Sequence, residues 1–473
     1  MKYEVVIGIE IHAELKSKNK LFSPAPNTYG ADVNARTNFY DTAQPGTLPQ
    51  LNKECVELAL LASLALNCKI TKYMEFDRKN YFYPDIAKGY QITQDRTPIG
   101  RDGFVNFEID GEAKCVNITR VHIEEDTAKS IHLGEDTLLD FNRSGSPLIE
   151  IVSDASMRSP KEASKYLEVL RGILLFSGVS DVRMEEGSMR CDANISIREF
   201  GEKLGTKVEI KNLNSISKVE KSLMYEIERQ TDVIESGGTI FQETRRFNDL
   251  TGETVVMRVK ESADDYRYHH DPNIPPIILE DTYIEAVRNK LPELPKQKIT
   301  RYIEDYKLSD YDANVLVSTV EISAMFEESV SLKANPKILA NLIMGDISAY
   351  LNKNKVELIE TKLTAQNLVD IANVFEKDII SSKIVKNVLA YAIENNIDVN
   401  EYIKKEGLIQ ISDDNELEKI IDEVVLQNEK SVNDYLSGNE YAFKYLIGQV
   451  MKLSKGKANP KKATKIIKEK IQK

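Results

Sequence analysis

Residues 3–14, YEVVIGIEIHAE, alternate apolar and polar, and this pattern constrains the fold more than any other feature of the chain. Side chains of a strand point to opposite faces with period two. If Val5, Ile7, Ile9 and Ile11 face a core, Gly8, Glu10 and His12 must share the other side. Taken alone, Glu10 and His12 read as a solvent-facing pair. The division recurs, however, in RCDANISIREF, where Cys191, Ala193, Ile195 and Ile197 oppose Asp192, Asn194 and Ser196. In TKVEIKNLN, Val208 and Ile210 oppose Lys207, Glu209 and Lys211. Asp, Asn and Ser are poor strand formers. A sheet face built from them is expected to carry chemistry.

Short alternating runs continue to about residue 280, at Val105 to Ile109, Cys115 to Ile123, Asn194 to Arg198 and Lys207 to Lys211. Helical patterns at Lys53 to Leu66, Pro160 to Phe176 and Ile216 to Glu235 lie between them. The last has Val219, Leu223 and Ile227 at four-residue spacing, Asn214-Ser215 as cap candidates and Gly237-Gly238 as a stop. This predicts an α+β fold, β-rich first. After LPELP, Leu291 to Pro295, helical periodicity replaces strand alternation, and a second break is expected near Gly407 to Leu417. Three domains also suit 473 residues, since single cores seldom exceed about 250–300 residues.

Composition excludes some classes. With 41% apolar and 29% charged residues, the chain has the balance of a globular protein and should bury a sizeable core. The amino terminus lacks the pattern of a signal peptide, and no run reaches the ~18 apolar residues of a membrane span. A cytoplasmic location is expected. Cys55, Cys68, Cys115 and Cys191 are widely separated and form no CxxC pair, so neither a zinc site nor a disulfide framework is suggested. The net charge is −12, yet Met451 to Lys473 holds nine lysines against Glu469. Such a tail suits a polyanion or a solvated helix face.

Several acids stand in informative settings. HIEEDTAK places Glu124, Glu125 and Asp126 together, and Glu150 interrupts the apolar run Leu148, Ile149, Ile151, Val152. A carboxylate in such a strand is costly unless it is paired, hydrogen-bonded or bound to metal. With Glu10, His12, Glu125 and Glu150, a mostly oxygen-donor site for a divalent cation becomes available. One imidazole is unusual for Mg²⁺ and acceptable for Mn²⁺. There is no GxxxxGK[ST] and no GxGxxG after a strand, so any nucleotide must be held by metal and discrete side chains. FDRKNYFYPDIAKGYQITQ, residues 76–94, can supply these: Arg78, Lys79 and Lys88 for phosphates, and Tyr81, Phe82 or Tyr83 as walls. No GxSxG elbow occurs, and no cysteine has a histidine nearby in sequence.

In order along the chain, FDRKNYFYPDIAKGYQITQ, HIEEDTAKS, DFNRSGSPLIEIVS, MRSPKEA, MEEGSMRCDANISIR, EIKNLNS, QETRRF, MRVKESADDYRY, LPELP and YLIGQVMKLSKGKANP resemble the B-subunit family of the aspartyl/glutamyl-tRNA(Asn/Gln) amidotransferases. The resemblance runs from Gly8 to the carboxyl end. It implies a catalytic cradle domain over 1–292, a helical domain over 293–405 and a YqeY-like, tRNA-binding tail over 406–473.

It also implies the reaction. ATP phosphorylates the side-chain carboxylate of Glu on tRNA(Gln), or of Asp on tRNA(Asn), and ammonia displaces the phosphate. The ammonia comes from glutamine on a separate amidase subunit, and a small third subunit completes a heterotrimer. By this match Glu10, His12, Glu125 and Glu150 are the metal site, for Mg²⁺ or Mn²⁺. Lys79, Tyr81 and Lys88 line the kinase pocket, and Glu125, Glu150, Lys79 and Lys88 are the expected catalytic residues. From residue type and strand pattern rather than from the match, Arg78, Tyr83, Asp192, Asn194, Glu209, Lys211 and Asn212 complete the expected nucleotide and substrate contacts. The basic tail, with Lys455, Lys457, Lys461 and Lys462, is expected on the tRNA body.

Two departures stand out. Many relatives carry paired cysteines, forming a zinc site, around FSPAPN and YDTAQPGTLP where this chain has none, so no zinc is expected. DYRYHHDPN replaces DYRYFPEPD, with His269 and His270 for Phe-Pro. The competing readings are a tRNA-binding scaffold without catalysis, which clustered acids near phosphates disfavour, and a free-standing carboxylate–amine ligase, which leaves the basic tail without a role.

Overall fold

Strand alternation builds the first half of the molecule. In this computed structural model, which describes residues 2–259, 266–410, 414–454 and 457–471, contacts divide the chain into Met1–Pro295 and Lys296–Lys473. In the first unit, β1 (Tyr3–Glu14), β2 (Glu112–Glu125), β3 (Pro147–Ser153), β4 (Met189–Glu199) and β5 (Val208–Leu213) form the middle of a nine-stranded sheet. β1 pairs antiparallel with β3 on one side and β4 on the other. β3 continues to β2 and then to Gly100–Ile109 and the short edge Lys69–Ile70. β4 continues to β5, to the parallel strand Glu243–Asn248 and to Glu253–Val259.

One face of this sheet is apolar. Ile7, Ile9 and Ile11 of β1, Val121 and Ile123 of β2, Ile149 and Ile151 of β3, and Ala193 and Ile195 of β4 are all buried in one core. Burying an aliphatic side chain completely contributes roughly 1.5–3 kcal/mol, so this stripe fixes the register: a one-residue slip would expose it. Three helices cover it. These are α1 (Lys53–Ala65), α2 (Pro160–Phe176) and α3 (Ile216–Glu235), within a residue of where their periodicity places them. Asn52, Ser159 and Ser215 cap their first turns by accepting backbone N–H groups of Glu54, Glu162 and Lys218.

The end of α1 leaves little room for the neighbouring edge. A Cβ on Gly103 would lie 2.4 Å from Cys68 Sγ and 2.6 Å from the Leu66 carbonyl oxygen, so only glycine lets that strand approach.

The second unit is helical, from Pro295–Tyr306 onward to Pro460–Ile471. Its last helices enclose their own apolar cluster, including Leu417, Ile421, Phe443, Leu446, Val450 and Ile467. The boundary expected at 405–406 falls inside this unit, where the backbone N–H of Gln410 donates to Ile379 O at 2.7 Å. Among the described residues no helix is long and apolar enough to cross a membrane.

Candidate active site

The other face of the sheet is polar because its alternation is in phase across strands. Register sets His12 of β1 opposite Glu150 of β3, and Glu150 opposite His122 of β2. Glu124, two residues beyond His122, is next on the same face. The side chains converge. His12 Nε2 lies 3.3 Å from Glu124 Oε1 and 3.3 Å from Glu150 Oε2. His122 Nε2 lies 3.3 Å from Glu150 Oε2 and 3.6 Å from Glu124 Oε2.

Burial favours a neutral His12, but its hydrogen bonds to Glu124 and Glu150 outweigh this and raise it to about 10. His122 is raised against the same burial, by the charge of Glu150 and bonds to both acids. Burial alone would raise Glu124 and Glu150; the two imidazoles hold both below the usual carboxylate range. Donor atoms of His12, Glu124 and Glu150 lie within 4.8 Å of one another. One imidazole and two carboxylates suit a divalent cation such as Mn²⁺ or Mg²⁺, with water or phosphate oxygens completing its shell.

Above this face lies a cleft enclosing about 710 Å³, its open mouth included. Glu10 stands in it, accepting from Asn194 Nδ2 at 2.7 Å. Lys79, Arg120 and Lys211 are its cations. Lys211 Nζ is held by Asp192 at 2.7 Å and by Glu209 at 3.4 Å; these acids overcome its burial and raise its pKa. Glu209 in turn accepts from Thr244 Oγ1 at 2.9 Å. Lys79 lies over the ring of Tyr266, 4.9 Å from its centroid.

Other expected residues stand apart from this group. Glu125 lies on the strand side shared with Val121 and Ile123, not with His12. Both of its oxygens accept from Lys88 Nζ, at 2.5 and 2.6 Å, and Oε1 also accepts the N–H of Ile92 at 2.9 Å. Burial raises its pKa while Lys88 opposes this. The expectation that Glu125 joins His12 as a ligand is therefore corrected: period two sends the second glutamate of HIEED away from the face that holds the first. Lys88 also touches Tyr40 Oη at 3.0 Å and is not in the cleft lining.

Arg78 pairs with buried Asp271 at 2.7 Å and stacks on Tyr90. Tyr81 meets Tyr266 edge to ring and Tyr83 at a tilt and is not in the cleft lining, and Tyr83 is exposed. Asn212 sits at a β-bulge of β5 with φ +63°, exposed. In the second unit Lys461 and Lys462 are exposed at the start of Pro460–Ile471, and Lys457 is partly buried; Lys455 lies outside the described residues.

Residue-by-residue reading missed His122, Arg120, Tyr266, Tyr268 and Asp95, all in the cleft lining. For His122 the signal was present, since RVHIEED alternates like β1. For Asp95 and the tyrosines it was absent, because loops bring them there.

A polar sheet face that joins imidazoles, carboxylates and basic side chains under one cleft has the make-up of a charge-handling site. Residues 5–285 match the family model described as the GatB/GatE catalytic domain, and residues 324–471 match the GatB domain, so the chain belongs to the GatB family. It is 49% identical over 474 residues, covering 100% of both chains, to the B subunit of the aspartyl/glutamyl-tRNA(Asn/Gln) amidotransferase from Staphylococcus aureus strain MRSA252. Similarity is equal, at 49%, to the proteins of that name from strains JH9 and Newman.

Proposed function

We propose that the chain is the subunit that phosphorylates the side-chain carboxylate of Glu on tRNA(Gln), or Asp on tRNA(Asn), with ATP, and then lets ammonia displace phosphate. The strongest support is the convergence of His12, Glu124 and Glu150 beside Lys79, Arg120 and Lys211 in one cleft, in a chain 49% identical end to end to named B subunits. A carboxylate is a poor electrophile until a phosphate leaving group is attached, and that transfer depends on positioning and positive charge rather than a protein nucleophile. A bound divalent cation would neutralise phosphate charge. His12, Glu124 and Glu150 would hold it, with Glu10 beside them. Lys79 and Arg120 supply positive charge at the mouth, and Lys211, fixed by Asp192 and Glu209, supplies a third at a set position.

Lys88 and Glu125 serve differently. Their closed pair, with the Ile92 bond, anchors Tyr90–Thr93, which leads into Thr93, Gln94 and Asp95 of the lining. Ammonia would come from glutamine on a partner amidase subunit, within a complex completed by a small third subunit in the cytoplasm. The lysines of Pro460–Ile471 would meet tRNA phosphates, so that 406–473 acts as a tRNA-binding tail.

The test is Glu124→Gln and Glu150→Gln in the reconstituted complex. ATP-dependent amide formation on mischarged tRNA should fall at least 100-fold, while tRNA affinity by filter binding changes less than threefold. Turnover unchanged in both variants would sink the cation assignment.

A further inference from the structure

We infer that Arg190 receives the side-chain carboxylate of the aminoacyl group, on the far side of His12 from Arg120 and Lys211. This rests on the phosphoryl-transfer reading above and assigns a place to its acceptor. Register fixes the position. Glu10 lies opposite Asp192, the partner of Lys211, and opposite Val152, which in turn faces Arg120, so these residues form one row across the sheet. Arg190 shares the phase of Asp192 and lies opposite His12, in the next row. Its anchor, Asp126, is two residues beyond Glu124, further along in the same direction. The guanidinium is therefore drawn away from the row of Glu10, and it stands outside the cleft lining.

This group is held from behind and open in front. Arg190 Nη2 donates to Asp126 Oδ1 at 3.0 Å, and among the described residues Asp126 is its one hydrogen-bond partner. Asp126 is buried and fixed: its backbone N–H donates to Ser146 O at 2.8 Å, and its other oxygen accepts from Arg143 Nε at 3.0 Å and Nη2 at 2.7 Å. The Arg190 side chain remains 45% exposed. A guanidinium carries five N–H donors in a rigid fork, and a carboxylate matches an edge of it.

Direction decides which anion comes here. In phosphoryl transfer the attacking and leaving oxygens lie roughly in line. With the nucleotide phosphates at Arg120 and Lys211, the attacking carboxylate approaches from the opposite side, where Arg190 stands. One carboxylate oxygen attacks the γ-phosphorus, the bond from that phosphorus to the bridging oxygen breaks, and ADP leaves with the electron pair. Arg190 holds the other carboxylate oxygen, neither gains nor loses a proton, and offsets the repulsion between two anions that must meet.

The experiment compares Glu-tRNA(Gln) with Gln-tRNA(Gln), which differ only in carboxylate against amide, by filter binding to the full complex with a non-hydrolysable ATP analogue. The carboxylate form should bind about tenfold or more tightly. Arg190→Met, which keeps the stem and loses the fork, should bring the two within about threefold. Arg190→Lys, which keeps the charge alone, should fall between, and it carries the test should Arg190→Met fail to fold. Affinity for the ATP analogue, by equilibrium dialysis, should change less than about threefold in both. A wild-type preference in the variants would make Arg190 only a brace for Asp126 and overturns the proposal, as does equal binding of the two tRNAs by the unaltered complex. Parallel loss of ATP-analogue affinity would give the fork to phosphate and overturns it too. Failure of the unaltered complex to form amide from Glu-tRNA(Gln), ATP and glutamine would instead remove the reading on which it rests.

Discussion

At the scale of single residues, the centre of the site is a contest between burial and pairing. Half-buried His12 and buried His122 lie against the same two carboxylates, but only His12 belongs to the group whose donor atoms converge within 4.8 Å. His122 therefore acts through Glu124 and Glu150, holding their Oε2 atoms, and its Nδ1 meets no hydrogen-bond partner among the described residues. Partners that orient metal-binding carboxylates typically change cation affinity by 10- to 100-fold. Stripped of metal and titrated with Mn²⁺, the His122→Ala protein should bind 10- to 100-fold more weakly by electron paramagnetic resonance, and His122→Gln, which keeps a donor, should recover most of the loss. Unchanged affinity in His122→Ala would show that the carboxylates need no such support. Alternation put Glu10 and His12 on one face of β1, and only the recurrence of that division in other strands marked the face as more than solvent-facing. Alternation could have separated Glu124 from Glu125 as well, since His122 and Glu124 share a phase that Val121, Ile123 and Glu125 oppose. A motif running through both acids does not make that distinction.

At the scale of elements, α3 shows where periodicity stops. Its apolar spacing marks Val219 and Leu223, which are buried, and puts Glu226, seven residues beyond Val219, on the same face, but gives no sign of what a carboxylate meets there. It is met there by Arg229 of the same helix, which bonds at 2.9 Å, and by side chains of two distant strands: Arg245 lies 3.0 Å away, and Thr254 donates to it. Burial would raise Glu226, but these bonds, Arg229 first, hold it below its ordinary value of 4.5. A carboxyl lowered in the folded state contributes stability that is present above its unfolded value and is lost as pH falls through the folded one. Stability to urea should therefore drop as pH falls below about 4.5, and Glu226→Gln should flatten that part of the curve while costing on the order of 3 kcal/mol at pH 7, because Arg245 loses its buried partner. An equal acid slope in the variant would assign the loss to other groups. The same limit applies to the strands: each was readable by itself, whereas β1 lying between β3 and β4 is a pairing of residues more than 130 positions apart.

At the scale of the whole molecule, two units, each described by itself, carry the proposed division of labour. The first brings His12, Glu124 and Glu150 together with basic side chains in one cleft; the second ends in a lysine-bearing helix packed on its own small core. Composition foretold that change from strand to helix, and the lysine excess foretold the charge of the end, because neither depends on long-range pairing. The chemistry depends on it entirely. The central claim is that the side-chain carboxylate becomes an acyl phosphate, so one carboxylate oxygen must leave with the phosphate. The direct measurement uses Glu-tRNA(Gln) labelled with ¹⁸O in both side-chain carboxylate oxygens, with ATP, glutamine and the reconstituted complex, and mass analysis of the phosphate released. One ¹⁸O per phosphate, with the other retained in the amide, is the predicted result; phosphate carrying no ¹⁸O would contradict it.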